Sequence, residues 1–186
     1  MKQSEIRHLA GKVFVSVVLL AGLSAGSVRA EAEAPKPGPE HAKLGILVGD
    51  WTYEGKTADT KESFTGTITT RFVLGGFFVE DKWEETAGAA RLSGVQMFGY
   101  DAAAKGYFVN GYSSDGSRYA GGVTIEGDVL TSTWVEALGQ GATRLVKGVW
   151  TFDPDQSGFT AVWQTSRDGG RTWTPWLEYR AKKAAK

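Results

Sequence analysis

The sequence predicts an all-β fold: a closed antiparallel up-and-down barrel of about ten strands, preceded by a short N-terminal helix. Three observations predict it. Apolar and polar residues alternate with period two through most of the chain after Asp50. The runs are joined by short Gly- and Asp-rich turns, none long enough for a crossover helix, so neighbours must be antiparallel. The first run, Trp51-Thr52-Tyr53-Glu54-Gly55, has a matching aromatic run at the far end, Trp176-Leu177-Glu178-Tyr179-Arg180. If the two meet, the sheet closes and both exposed edges disappear.

The chain has 186 residues, 25 of them Gly and none Cys. Met1 to Lys12 is polar and basic, Val13 to Ala25 is apolar, and Val28-Arg29-Ala30 suits a cleavage site. That order is a secretory signal peptide, cut after Ala30, and it implies a periplasmic or secreted protein. The apolar run is too short for the ~20 residues a membrane-spanning helix needs, so no membrane span is expected in the mature chain. Without residues 1–30, 17 basic and 20 acidic residues remain. A mildly acidic chain with no basic stripe does not suit nucleic acid.

Residues 31–40 (EAEAPKPGPE) read as a linker, residues 41–181 as the barrel domain and residues 182–186 as a basic tail. Pro39 opens a helical turn or two whose apolar edge, Leu44, Leu47 and Val48, suits a plug for one barrel mouth. In the first strand Trp51, Tyr53 and Gly55 share a face. In the second, Phe64, Gly66, Ile68, Thr70, Phe72 and Leu74 do. Gly75-Gly76 turns the chain into a third strand, with Phe77, Val79, Asp81 and Trp83 inward. Arg91 to Tyr100 and Tyr107 to Ser113 follow. Asp115-Gly116 is a strong hairpin signal. Tyr119 to Ile125, Leu130 to Glu136, Arg144 to Phe152, Phe159 to Gln164 and Trp173 to Arg180 complete the set. No fixed-period repeat points to a propeller.

The short helix followed by Gly49-Asp50-Trp51 resembles the Gly-x-Trp motif of lipocalins and fatty-acid-binding proteins, the calycin group. More narrowly, Leu47 to Trp51, Val73 to Phe78, Phe98-Gly99-Tyr100-Asp101, Ser114-Asp115-Gly116 and Glu178-Tyr179-Arg180 resemble an uncharacterised bacterial domain-of-unknown-function family of lipocalin-like barrels. The resemblance implies that Trp51 closes one end of the barrel under a basic residue of the last strand, for which Arg180 is the match. It implies no reaction.

Motifs that suggest catalysis fare poorly. Gly22-Leu23-Ser24-Ala25-Gly26 has the spacing of a nucleophile elbow, but it lies in the leader with no strand before it. His41 is the sole His of the mature chain and reads as a surface residue of the entry helix. One His and no Cys make no zinc site. The haem-binding barrels related to the calycins use a His inside the barrel, and none falls there, so neither metal nor cofactor is expected. Ser166-Arg167-Asp168-Gly169-Gly170-Arg171-Thr172-Trp173 matches an Asp-box, here a single, self-satisfied hairpin turn.

Polar residues on inward positions are the stronger signal. Asp81 shares a face with Val79 and Trp83, Glu136 with Trp134, and Arg144 with Val146 and Trp150; Gln96 joins them if its strand is in phase. A buried carboxylate must be paired or must titrate high. Asp81 and Glu136 are therefore either hydrated or paired with Arg144 or Arg71 near a barrel mouth, or they orient a ligand, or they act as acid and base. A wide barrel walled by Tyr53, Phe72, Trp83, Tyr119, Trp134, Trp150 and Trp163 leaves room for a ligand. The expected function is binding of a small apolar or amphipathic molecule by these aromatics with Asp81, Gln96, Glu136 and Arg144. The alternatives are an isomerase, cyclase or hydrolase on the same barrel, and an envelope accessory protein whose barrel is filled.

Overall fold

The computed structural model describes residues 34–139 and 142–184. The leader and its cleavage site lie outside the described residues. A short helix α1 (Pro39–Lys43) runs into a 3₁₀ turn (Leu44–Leu47), and ten strands follow. They are β1 (Gly49–Thr57), β2 (Ser63–Val73), β3 (Phe78–Ala87), β4 (Ala90–Asp101) and β5 (Gly106–Ser113). Then come β6 (Arg118–Glu126), β7 (Val129–Gly139), β8 (Ala142–Phe152), β9 (Gly158–Ser166) and β10 (Thr174–Lys183). Each strand pairs with its sequence neighbours, and β1 pairs antiparallel with β10, closing the barrel.

The two ends of the barrel differ. At the end where β1 begins, side chains fill the barrel down to a residual void of ≈20 Å³. Leu44, Trp51, Val79, Phe98, Val109, Leu130, Phe152 and Phe159 are buried there in one cluster. The helix and 3₁₀ turn cover this end. Leu44 and Leu47 point into it, and the Trp51 indole N–H donates to the Leu47 carbonyl at 3.2 Å. Tyr107 donates its hydroxyl to the Glu40 carboxylate at 2.6 Å, tying α1 to β5. His41 is half-buried rather than a surface residue. Its ring meets Phe77 edge-on at 5.1 Å, and its Nδ1 accepts from the Gly38 amide at 3.0 Å.

Trp51 packs edge-on against Phe159 (5.1 Å) and Phe152 (6.4 Å). Arg180 does not cover it. Tyr179 and Ala181 point inward, so period two sends Arg180 outward. There it stands opposite Glu54 and ion-pairs with Asp153. β10 continues to Lys183, past the start of the expected tail, and the register sets Lys183 opposite Trp51 with its Nζ 5.3 Å from the ring. A basic residue of the last strand does lie over the Trp, but it is Lys183.

Candidate functional site: a half-hollow barrel

At the opposite end, where β1 finishes, the barrel is hollow. A cavity of ≈370 Å³ opens among the turns β3–β4, β5–β6 and β9–β10. That volume lies in the range of small-molecule pockets. Tyr53, Trp83, Tyr119, Trp134 and Trp163 form its wall, joined by Trp176 and Tyr179 of β10. Tyr119 stacks on Trp134 at 4.6 Å, and Trp163 meets Trp134 edge-on at 5.0 Å.

The wall is thin because several rings lie over cross-strand glycines. Tyr53 is opposite Gly66, Trp83 opposite Gly94 and Tyr119 opposite Gly111. A Cβ on Gly66 would come within 2.3 Å of the Tyr53 ring, and one on Gly111 within 2.1 Å of the Tyr119 ring. Glycine lets each ring lie close against the neighbouring backbone instead of projecting across the lumen.

The cavity floor carries Asp81. β3 and β4 pair with Asp81 opposite Gln96. Gln96 donates its amide to Asp81 Oδ1 at 3.1 Å, and Thr70 donates its hydroxyl to Oδ2 at 3.1 Å. Tyr119 in turn donates to Gln96 Oε1 at 2.7 Å. Asp81 is 5% exposed, and no Lys or Arg among the described residues pairs with it. Burial disfavours the anion and pushes its pKa up to about 6, against the opposing pull of Gln96 and Thr70. Glu85, two inward steps along β3 from Asp81 and next after Trp83, accepts from Tyr53 at 3.2 Å, and burial raises its pKa too.

The rim carries the charged pair. Arg144 Nε donates to Glu136 Oε2 at 2.5 Å across the β7–β8 register, and the Arg144 guanidinium stacks on Trp176 at 4.5 Å. Of the two pairings expected for the carboxylates, Glu136 with Arg144 is formed. Arg71 is outside the barrel, bonded to Asp50 at 2.6 Å.

The structure thus brings Tyr53, Asp81, Trp83, Gln96, Tyr119, Trp134, Glu136, Arg144 and Trp163 to one cavity. Trp150 lies beneath the cavity, 5% exposed, donating its indole N–H to Tyr179 at 3.1 Å. Phe72 does not reach it. Phe72 is at the filled end of β2, 42% exposed beside Gly45 of the 3₁₀ turn, because the strand passes the mouth before reaching it. Glu85, Trp176, Leu177 and Tyr179 line the cavity without having been singled out. Continuing the alternation beyond Trp83 would have found Glu85. The three in β10 belong to the strand that closes the barrel, and its alternation breaks at the bulge between Pro175 and Leu177.

The Asp-box turn is satisfied within itself. Thr172 donates its amide and hydroxyl to Asp168 at 3.0 and 2.6 Å, and Ser166 accepts the Gly170 amide at 2.8 Å. Those bonds hold the Asp168 pKa down to about 2. Among the described residues no group of three or more His, Cys, Asp and Glu is arranged to hold a metal ion, and no helix is long and apolar enough to cross a membrane.

A family model described as "Protein of unknown function (DUF1579)" matches residues 36–133. No curated protein matches the chain. A solved structure similar to this one is a de novo designed fluorescence-activating β-barrel. It is 11% identical, with a TM-score of 0.39, over 76% of this chain and 96% of its own.

Proposed function

The chain belongs to the family of proteins of unknown function DUF1579, and we propose that it binds a small, largely apolar molecule in the open half of its barrel. The observation that carries this reading is the asymmetry of the interior: one half is filled by side chains, the other is a cavity of ≈370 Å³ with aromatic walls and a few convergent polar groups. A barrel filled throughout would suit the accessory-protein alternative better. The wall supplies apolar burial; Asp81 and Gln96 on the floor, with the Tyr119 hydroxyl bonded to Gln96, and the Glu136–Arg144 pair at the rim supply orientation. Export to the periplasm or medium belongs to the same proposal and rests on the leader-like residues 1–30.

The test is a titration with a neutral environment-sensitive dye, N-phenyl-1-naphthylamine. Saturable binding at one site, weakened when Ser113 at the mouth is replaced by Trp, is the expected result. Absence of saturable binding, or binding indifferent to Ser113→Trp, would sink the reading. Native mass spectrometry of protein taken from its own host would then identify the class of a retained ligand.

One observation favours a second reading, acid–base catalysis. Asp81 has a pKa of about 6 and faces a cavity, so near neutral pH it exists in both forms. Glu136 is the weaker candidate, since Arg144 already occupies its carboxylate. Turnover of any cavity ligand that survives Asp81→Asn would remove this reading.

A further inference from the structure

The cavity is chemically lopsided, and this asymmetry narrows the class of ligand. Asp81, Glu85, Asp115 and Glu136 are among the described residues that line it, and Arg144 is the one basic group among them. Arg144 is already matched by Glu136. Among the described residues, the two deepest carboxyls, Asp81 and Glu85, receive hydrogen bonds only from neutral groups: Thr70, Gln96 and Tyr53. Around them the wall is made of ring faces and edges. That combination, aromatic surfaces with uncompensated carboxyls behind them, is how proteins hold organic cations, because ring faces and carboxylates both attract positive charge. The wall already shows the affinity, since the Arg144 guanidinium stacks on Trp176.

From this geometry we infer that the cavity's ligand is an organic cation, a hydrophobic amine or quaternary ammonium compound whose charge reaches the floor beside Asp81. The inference rests on the binding function proposed above. It also accounts for a cost that the empty site carries. Burying Asp81 without a counter-charge disfavours its ionised form, and an arriving cation restores that form. Binding should therefore be coupled to proton release from Asp81. The other titratable groups whose charge Asp81 feels are Tyr53 from β1, Tyr119 from β6 and Tyr179 from β10. Glu85 lies on Asp81's own strand. Burial pushes the three tyrosines upward, so none of them ionises in the pH range of interest.

Three probes of nearly equal shape separate the possibilities: phenyltrimethylammonium, tert-butylbenzene and benzenesulfonate, each measured by displacement of the neutral dye. The cation should displace the dye at about tenfold lower concentration than the neutral probe at pH 8, with the anion weakest. Because a quaternary ammonium does not titrate, its advantage should shrink several-fold on going to pH 5, where Asp81 is protonated. The ratio of cation to neutral probe should also fall in Asp81→Asn. Equal displacement by cation and neutral probe, or tighter binding of the anion, overturns the inference and leaves the binding function standing. Failure of the dye itself to bind removes both. The comparison needs only the unaltered protein, so a variant that fails to fold does not affect it.

Discussion

Asp81 keeps an ionisable group inside the barrel with no Lys or Arg among the described residues paired with it, and its effect on stability has a definite sign. Its pKa is about 6 in the folded protein and about 3.9 in an unfolded chain. Between these values the native state binds the extra proton, so stability falls as pH rises from about 4 to about 6 and is level above that. Asp81→Asn removes this loss, because the amide is neutral at every pH and the Thr70 hydroxyl can turn from donor to acceptor. Urea unfolding at pH 7 should find Asp81→Asn more stable than the parent by about 2–3 kcal/mol at most, converging with it near pH 4. A parent curve flat between pH 4 and 6, relative to Asp81→Asn, would show that Asp81 titrates in the folded protein as it does in the unfolded chain. Trp51 and Arg180 make a contrasting pair. Trp51 is 2% exposed at the filled end, and Trp51→Ala should cost about 3–5 kcal/mol. Arg180 holds a partly exposed pair with Asp153, and Arg180→Gln should cost no more than about 1 kcal/mol. A double-mutant cycle between them should give no coupling, since they are on opposite faces of the sheet; coupling above about 0.5 kcal/mol would contradict that placement.

At the scale of elements, the strand pairs at the open end are built as ring over glycine. Tyr119 on β6 over Gly111 on β5 is the tightest of them. Gly111→Ala forces the ring off the wall. The expected outcome is a loss of about 1–3 kcal/mol, typical of an overpacked site, together with weaker dye binding as the ring swings into the cavity. Gly122→Ala is the control. It is the same substitution on β6, where nothing lies within 4 Å of the added carbon, and its effect should be smaller. The entry segment works the other way, by filling. Leu44 is fully buried, and Leu44→Ala should cost about 2–5 kcal/mol by opening a hole under the helix. Thermal or urea denaturation measures both.

For the whole molecule, closure by β1 and β10 leaves no free sheet edge among the described strands, while the most deeply buried side chains, Leu44, Trp51, Val79, Phe98, Val109 and Leu130, gather toward one end. Local opening should follow that gradient. Amide hydrogen exchange is expected to be slowest at Val79, Phe98, Val109 and Leu130, and faster for the same strands near the mouth, at Thr86, Arg91 and Tyr112. Bound ligand should slow the second group and leave the first unchanged. Uniform protection along the strands would contradict a packed end and a hollow end.

The sequence by itself determined the closed antiparallel barrel, the entry helix and the inward carboxylates. The barrel and the carboxylates follow from a period-two alternation read one strand at a time, together with turns too short for any other connection; the helix follows from Pro39 and the apolar edge of Leu44, Leu47 and Val48. The same alternation contained Glu85, and the outward phase of Arg180 once Tyr179 is taken as inward. Only the tertiary structure decided that the interior is half filled and half empty. That depends on how far along its strand each inward residue lies. Phe72 and Asp81 both point toward the axis side of their strands by phase, yet one ends beside the helix and the other on the cavity floor. Register across the sheet, and with it the pairing of rings with glycines and of Gln96 with Asp81, brings together residues far apart in the chain. Alternation specifies which face a side chain occupies; it carries no information about height along the barrel axis, and height is what separates a core from a site.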